Sequence, residues 1–282
     1  MDLRAHFFNV GCGNMTLLIL PDGSSLMYDC NITDANKDRI LRLADDLLGP
    51  HGHINLFISS HPHRDHIRGI QILDDEHRID NLWYMSSPVE ADTPEYQEYL
   101  RVLRRSDCLR VLPGMRQRIQ DVELDVINAK FGDRPGLDEY SIVVHVIYGD
   151  ASIMLTGDTN AKRWKEWIVP RDKDMLRTTV LLASQHGSLD FFEDPSGGDK
   201  YYREHLDAMT PEITIVSVGP NMRKLPSDKA LQLYAQRKGD EWFEQPVLTT
   251  EEYGTISISL TSRGTWTLKT ELQQSNAIAI HG

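Results

Sequence analysis

The chain has 282 residues, with 42 acidic against 30 basic side chains and a formal net charge of −12. That balance excludes a bulk electrostatic grip on nucleic acid or on an anionic membrane, while leaving room for a local basic strip. At 40% apolar content there is enough for one large core or two small ones, so length alone does not fix the number of domains.

Apolar segments at 3–10, 15–20 and 25–29 predict strands, the last two joined as a hairpin by Pro21-Asp22-Gly23. Between 36 and 48, Ile40, Leu41, Leu43, Ala44, Leu47 and Leu48 recur at helical spacing, with Asp34 as the expected cap and Gly49-Pro50 as the stop. A strand at 55–59 leads into His61-Pro62-His63-Arg64-Asp65-His66. A helix is expected to open at 67–70, a strand covers 81–85, and Thr93-Pro94 starts a helix through 105. Strands at 141–148 and 152–156 flank the turn Gly149-Asp150. Helix 161–168, strand 178–184, helix 201–209, strand 213–218 and helix 228–237 follow. Strands 255–260 and 265–272 form a last hairpin around Arg263-Gly264. Strands and helices alternate but with hairpins, which predicts mixed sheets. No linker or low-complexity tract appears, so one domain over 1–282 is expected, with 190–200 as its mobile loop.

Cys12, Cys30 and Cys108 are odd in number and far apart, which argues against a disulfide framework and for a reducing compartment. Asn14 and Asn31 head glycosylation sequons, but residues 1–6 lack a secretory pattern. No apolar run is long enough to span a bilayer. A soluble cytoplasmic protein with no membrane partner is expected.

The segment 61–66 carries the chemistry. Four of its six residues are His or Asp, and on protonation they would repel one another unless a cation compensates them. Neutral imidazoles and a carboxylate suit zinc, manganese or iron. Asp29, Asp158 and His186 each follow a predicted strand, where a sheet can aim them at one point.

Together these residues resemble the metallo-β-lactamase superfamily. His61-x-His63-x-Asp65-His66 matches its HxHxDH signature without a gap. The other motifs look like the ComEC-type domains of DNA-uptake proteins: Val10-Gly11-Cys12-Gly13-Asn14 for VGQGD, 141–158 for SLVL…LLTGD, Gln185-His186-Gly187-Ser188 for HHGS, and Ser217-Val218-Gly219-Pro220-Asn221 for SVGxN. The resemblance runs from about residue 4 to 270. It implies a mixed α/β fold, a four-layer αββα sandwich, holding two divalent metal ions, zinc or manganese, the second weakly. His61 and His63 would bind the first ion, Asp65 and His66 the second, and Asp158 would bridge them, with Asp29 holding a His from behind. Two cations lower the pKa of a shared water, and Asp65 could orient it or carry its proton.

Four positions depart from that pattern. Gln185 replaces the first His of HHGS, and Leu225 stands where a His follows SVGxN, so either His186 supplies the missing ligand or the second ion is weakly held. Asp138-Glu139 replaces Asn-Asn, and Asn31 replaces a Gly.

The resemblance favours hydrolysis of phosphodiesters, a nuclease included, with Asp65, Asp158 and His186 as the catalytic group. Arg223 and Lys224 would face an anionic substrate such as a nucleic acid, and Ser188 and Asn221 would donate to a developing oxyanion. Arg101, Arg104, Arg105, Arg110, Arg116 and Arg118 read as a solvated helix face rather than a phosphate strip. Trp164 and Trp167 read as packing residues and His145 as a surface residue of a strand. Two alternatives stay open: hydrolysis of a small ester, lactone or thioester, and a non-catalytic binding or effector subunit of a multi-protein system. A protein partner is not legible in the sequence.

Overall fold

A computed structural model describes residues 1–85, 93–127, 140–197, 201–236 and 246–272. Two mixed sheets lie face to face. The first half supplies β1 (Leu3–Phe7), β2 (Thr16–Ile19), β3 (Ser25–Tyr28), the short β4 (Cys30–Asn31), β5 (Ile54–Ile58), β6 (Ile79–Tyr84) and β7 (Asp107–Arg110). Then come β8 (Arg116–Ile119), β9 (Val122–Val126), β10 (Val144–Tyr148), β11 (Ala151–Leu155), β12 (Val180–Leu182), β13 (Ile213–Val216), β14 (Val247–Thr249), β15 (Ile256–Leu260) and β16 (Trp266–Thr270). One sheet has the order β16-β15-β1-β2-β3-β5-β6-β7, the other β14-β13-β12-β11-β10-β9-β8.

Alternation along the strands builds the layers. Leu3, Ala5 and Phe7 of β1 point at Val144 and Val146 of β10 and at Ile153 and Leu155 of β11, in a core shared by both sheets. Outward-facing residues such as Leu17, Met27 and Phe57 are covered by helices. On the first sheet these are α1 (Lys37–Leu48), α2 (Arg64–Ile67), α3 (Ile70–Glu76) and α4 (Pro94–Arg105), which contribute Ile40, Ile67, Leu73 and Val102. On the second they are α5 (Ala161–Arg163), α6 (Val169–Asp172), α7 (Glu204–Met209) and α8 (Asp228–Ala235), which contribute Ala161, Val169, Met209 and Tyr234. The expected αββα sandwich of mixed sheets is present. No helix among the described residues is long and apolar enough to cross a membrane.

Several local expectations need correction. Asn36, not Asp34, precedes α1, and its Oδ1 accepts from the Thr33 amide at 2.7 Å. The helix expected at 67–70 is two helices, because Gly69 adopts φ 75° between them, and a Cβ there would lie 2.6 Å from Ile32 Cβ. The helix at 161–168 is only partly α-helical: α5 passes into a π-helical turn over Trp164–Ile168. Trp164 is buried and bonded to Thr159, whereas Trp167 is exposed. His145 faces the protein rather than solvent, and burial lowers its pKa to about 4. The part of the expected mobile loop that is described is tied down: Lys165 Nζ holds Asp194 at 2.6 Å, and Glu193 bridges Tyr201. The arginine run does not share one helix face, since Arg110 lies on β7 and Arg116 and Arg118 on β8. Asp138 and Glu139 lie outside the described residues.

Candidate metal centre

Parallel pairing sets the site. β3 runs beside β5, and β11 beside β12, so both pairs end at the same edge of the sandwich. From the first pair come Asp29 and His61–His66; from the second come Asp158 and His186. Asp29 turns the chain sharply with φ 60°, and its amide bonds Ile58 O at 3.0 Å. β4 then bridges Ile67 and Arg68, which fixes α2 against the strand ends.

Asp158 sits at the centre of the cluster. Its Oδ1 lies 3.3 Å from His66 Nε2 and 3.9 Å from His186 Nε2, and its Oδ2 lies 3.8 Å from His61 Nε2. His61, His66 and Asp158 offer ligand atoms within 4.8 Å of one another. His63 stands beside them, its Nδ1 2.8 Å from His61 Nε2. Asp65 reaches His186 Nε2 at 3.4 Å. His61 thus has His63 as its near neighbour on the Oδ2 side of Asp158, while His66 and His186 share the Oδ1 side.

Backing groups set the orientation of the imidazoles. His66 Nδ1 meets Asp29 Oδ2 at 2.8 Å. His186 Nδ1 donates to Ser217 O at 3.0 Å. His61 Nδ1 lies 3.0 Å from Ser60 Oγ and 3.2 Å from Ser141 Oγ. Ser60 in turn donates to Asp29, and Ser141 Oγ accepts from the Asp158 amide. Sequence reading passed over Ser60, Ser141 and Ser217 in this role. Only Ser60, directly before the His cluster, carried a signal that could have marked it.

The electrostatics ask for positive charge. Burial would raise the pKa of Asp158, but His66 and His186 outweigh it and hold the carboxyl well below the usual range. Asp65 is held down likewise, against burial, by its bond to His186 and by the charge on His66. Burial opposes charge on His66, yet Asp158 and Asp29 raise its pKa well above the ordinary value. His186 is raised too, against burial, by Asp158 and Asp65. Burial and then the charge on His66 push His61 the other way, toward the neutral form.

The donor set fits a metal. His66 Nε2, His186 Nε2 and Asp158 Oδ1 are buried and lack a well-aligned hydrogen bond, an arrangement that costs free energy unless another partner takes them. Each imidazole is bonded through Nδ1, which leaves Nε2 as the ligand atom.

The remaining predicted residues lie around this cluster. Ser188 Oγ accepts from the Asp190 amide and caps a short turn. Asn221 spends its amide nitrogen on Gly219 O and Leu225 O, each at 2.8 Å. Arg223 and Lys224 are exposed. Gln185 is buried, and its amide bonds Gly157 O. Asn31 donates to Cys12 O and Val10 O, supporting the loop after β1. Leu225 packs into the apolar layer under α8.

No protein-family description and no curated protein matches the chain. Solved structures do. CmlA, a diiron β-hydroxylase from Streptomyces venezuelae, is 12% identical with a TM-score of 0.58 over 92% of this chain and 54% of its own. This chain therefore spans about half the length of that protein. The metallo-β-lactamase fold protein YhfI from Bacillus subtilis is 13% identical, TM-score 0.57, over 92% of this chain and all (100%) of its own. The metallo hydrolase Igni18 from Ignicoccus hospitalis is 10% identical, TM-score 0.54, over 91% and 98%. With two sheets sandwiched between helices, and with these neighbours, the chain has the metallo-β-lactamase fold.

Proposed function

We propose that the chain is a metal-dependent hydrolase of phosphodiesters, nucleic acids among them. The observation that carries this reading is the divided carboxylate of Asp158, with Oδ1 toward His66 and His186 and Oδ2 toward His61. A buried carboxylate so placed suits two cations, one at His61 with His63 alongside, the other among His66, His186 and Asp65. Divalent ions held there, zinc or manganese, would supply Lewis-acid polarisation of the scissile group and would lower the pKa of a water.

The chain's own residues do the rest. Asp29 and Ser217 keep His66 and His186 in the tautomer that presents Nε2. Asp65, like His63, is partly open, with 28% of its side chain exposed. Because it stays ionised, it accepts a hydrogen bond from a water at the mouth and orients that water. Arg223 and Lys224 offer positive charge at the rim to a phosphate. The ComEC-type motifs and this rim charge favour phosphodiesters over neutral esters.

The test loads the protein with manganese or zinc and compares bis(p-nitrophenyl) phosphate and a single-stranded oligonucleotide with p-nitrophenyl acetate. Phosphodiester turnover that disappears in Asp65→Ala supports the reading. Turnover of the acetate alone, or undiminished turnover by Asp65→Ala, refutes it.

A further inference from the structure

Cys12 was passed over in the sequence, because a single cysteine between two glycines has no ligand spacing. In the structure its Sγ, a carboxylate oxygen of Asp65 and a ring nitrogen of His186 lie within 4.8 Å of one another. His186 is 1% exposed, and its Nε2, 3.4 Å from Asp65 Oδ2, lacks a well-aligned hydrogen bond. A buried imidazole nitrogen thus faces a sulfur and a carboxylate.

The loop that carries Cys12 is fixed from several sides. The Asn14 amide donates to Asp65 O at 3.2 Å, Asn31 Nδ2 donates to Cys12 O at 3.1 Å, and Ser217 Oγ donates to Gly13 O at 2.7 Å. Ser217 also accepts from His186 Nδ1, so one residue positions both the Cys12 loop and the imidazole. Gly13 is needed there: a Cβ would lie 2.2 Å from Asn31 Nδ2 and 2.7 Å from Asp65 O. Across the loop, a Cβ on Gly219 would lie 2.6 Å from Gly11 Cα, so the two loops pack backbone to backbone.

We infer that Cys12 is a metal ligand, completing with Asp65 and His186 a thiolate–carboxylate–imidazole set for the second ion. Cys12 supplies what position 225 lacks, since Leu225 is packed into the helix layer. The inference rests on the metal-site reading above and sharpens it. A thiolate favours zinc, cobalt or iron(II) over manganese and magnesium at this position.

The test titrates the metal-free full-length protein with cobalt(II). The expected result is thiolate-to-cobalt charge-transfer absorption that grows with the second equivalent. In Cys12→Ser this absorption is absent, the first ion still binds, and affinity for the second falls roughly 10- to 100-fold. Peptide mapping after iodoacetamide gives an independent readout: zinc slows alkylation of Cys12 and leaves the exposed Cys108 unchanged. Two ions bound without the charge-transfer band, a band that survives Cys12→Ser, or equal alkylation with and without zinc overturns the cysteine ligand alone. A folded wild-type protein that binds no cobalt overturns the metal-site reading as well.

Discussion

Asp29 Oδ2 and His66 Nδ1 meet at 2.8 Å with neither side chain exposed to solvent. The bond commits Nδ1 and leaves Nε2 directed at Asp158. Asp29 has left-handed backbone geometry, which asparagine also tolerates. Asp29→Asn therefore keeps the turn and removes the charge. The expected outcome is a roughly 10- to 100-fold loss of metal affinity in a competition against a chromogenic chelator, with an unchanged far-ultraviolet spectrum.

Removing a central ligand has a larger effect than removing its support. Asp158→Ala deletes the carboxylate that His61, His66 and His186 all approach. Elemental mass spectrometry after dialysis against zinc is expected to show at least about one ion fewer per chain than in the wild type. Wild-type stoichiometry would remove Asp158 from the ligand set.

Position 225 separates motif from geometry. Leu225 packs among the residues that cover the outer face of the second sheet. Leu225→His is expected to leave the metal titration unchanged and to cost about 1–3 kcal/mol of stability from an ill-placed polar ring, measured by chemical denaturation. Tighter binding of the second ion would instead show that the side chain can turn toward the centre.

Rim charge acts on binding more than on chemistry. Arg223 is exposed, so Arg223→Ala is expected to raise KM for an anionic phosphodiester about three- to tenfold and to leave kcat nearly unchanged. Salt should shrink the difference. An equal effect on a neutral ester would show that the charge is not what matters.

Acid stability depends on three histidines outside the candidate ligand set. Burial lowers His205 from 6.5 to about 3, and lowers His6 and His145 from 6.5 to about 4, His6 with help from Arg4. Each folded pKa lies below the unfolded one, so the unfolded chain binds more protons and stability rises with pH. Their contribution is full above pH 6.5 and is lost as pH falls through the window toward 4 and 3. The urea midpoint of the metal-free protein is expected to drop between about pH 7 and about pH 5, and His205→Gln should flatten that slope.

The sandwich was legible wherever strands alternate or run apolar, as in β1, β5, β11 and β15. Five strands escaped, among them the two-residue β4. β7 is exposed throughout, and in β8 Arg116, Gln117 and Arg118 are exposed, so edge pairing rather than burial creates both strands. β9 lies beside that polar stretch and β14 is only three residues long. At the candidate centre the His cluster was visible because its donors are consecutive, and Asp29, Asp158 and His186 because they follow strands. Cys12 had neither signal: it approaches Asp65 through a loop contact of long sequence separation. Leu225 shows the converse. Matching a motif by count placed it at the site, but its side chain packs against the apolar cluster that covers the second sheet.

The candidate ligands are divided between the layers: Asp65 and His66 follow a strand of one sheet, Asp158 and His186 follow strands of the other. A cation gripped by both is a rivet through the seam of the sandwich. Its binding energy then counts as cohesion between the two halves of the molecule. Stripping the ion would let this edge breathe while the opposite edge, closed by apolar packing and by bonds such as Tyr148 to Met1 O and Trp266 to Glu212, stays shut. The chemistry and the mechanical integrity of the fold would share a single fastener.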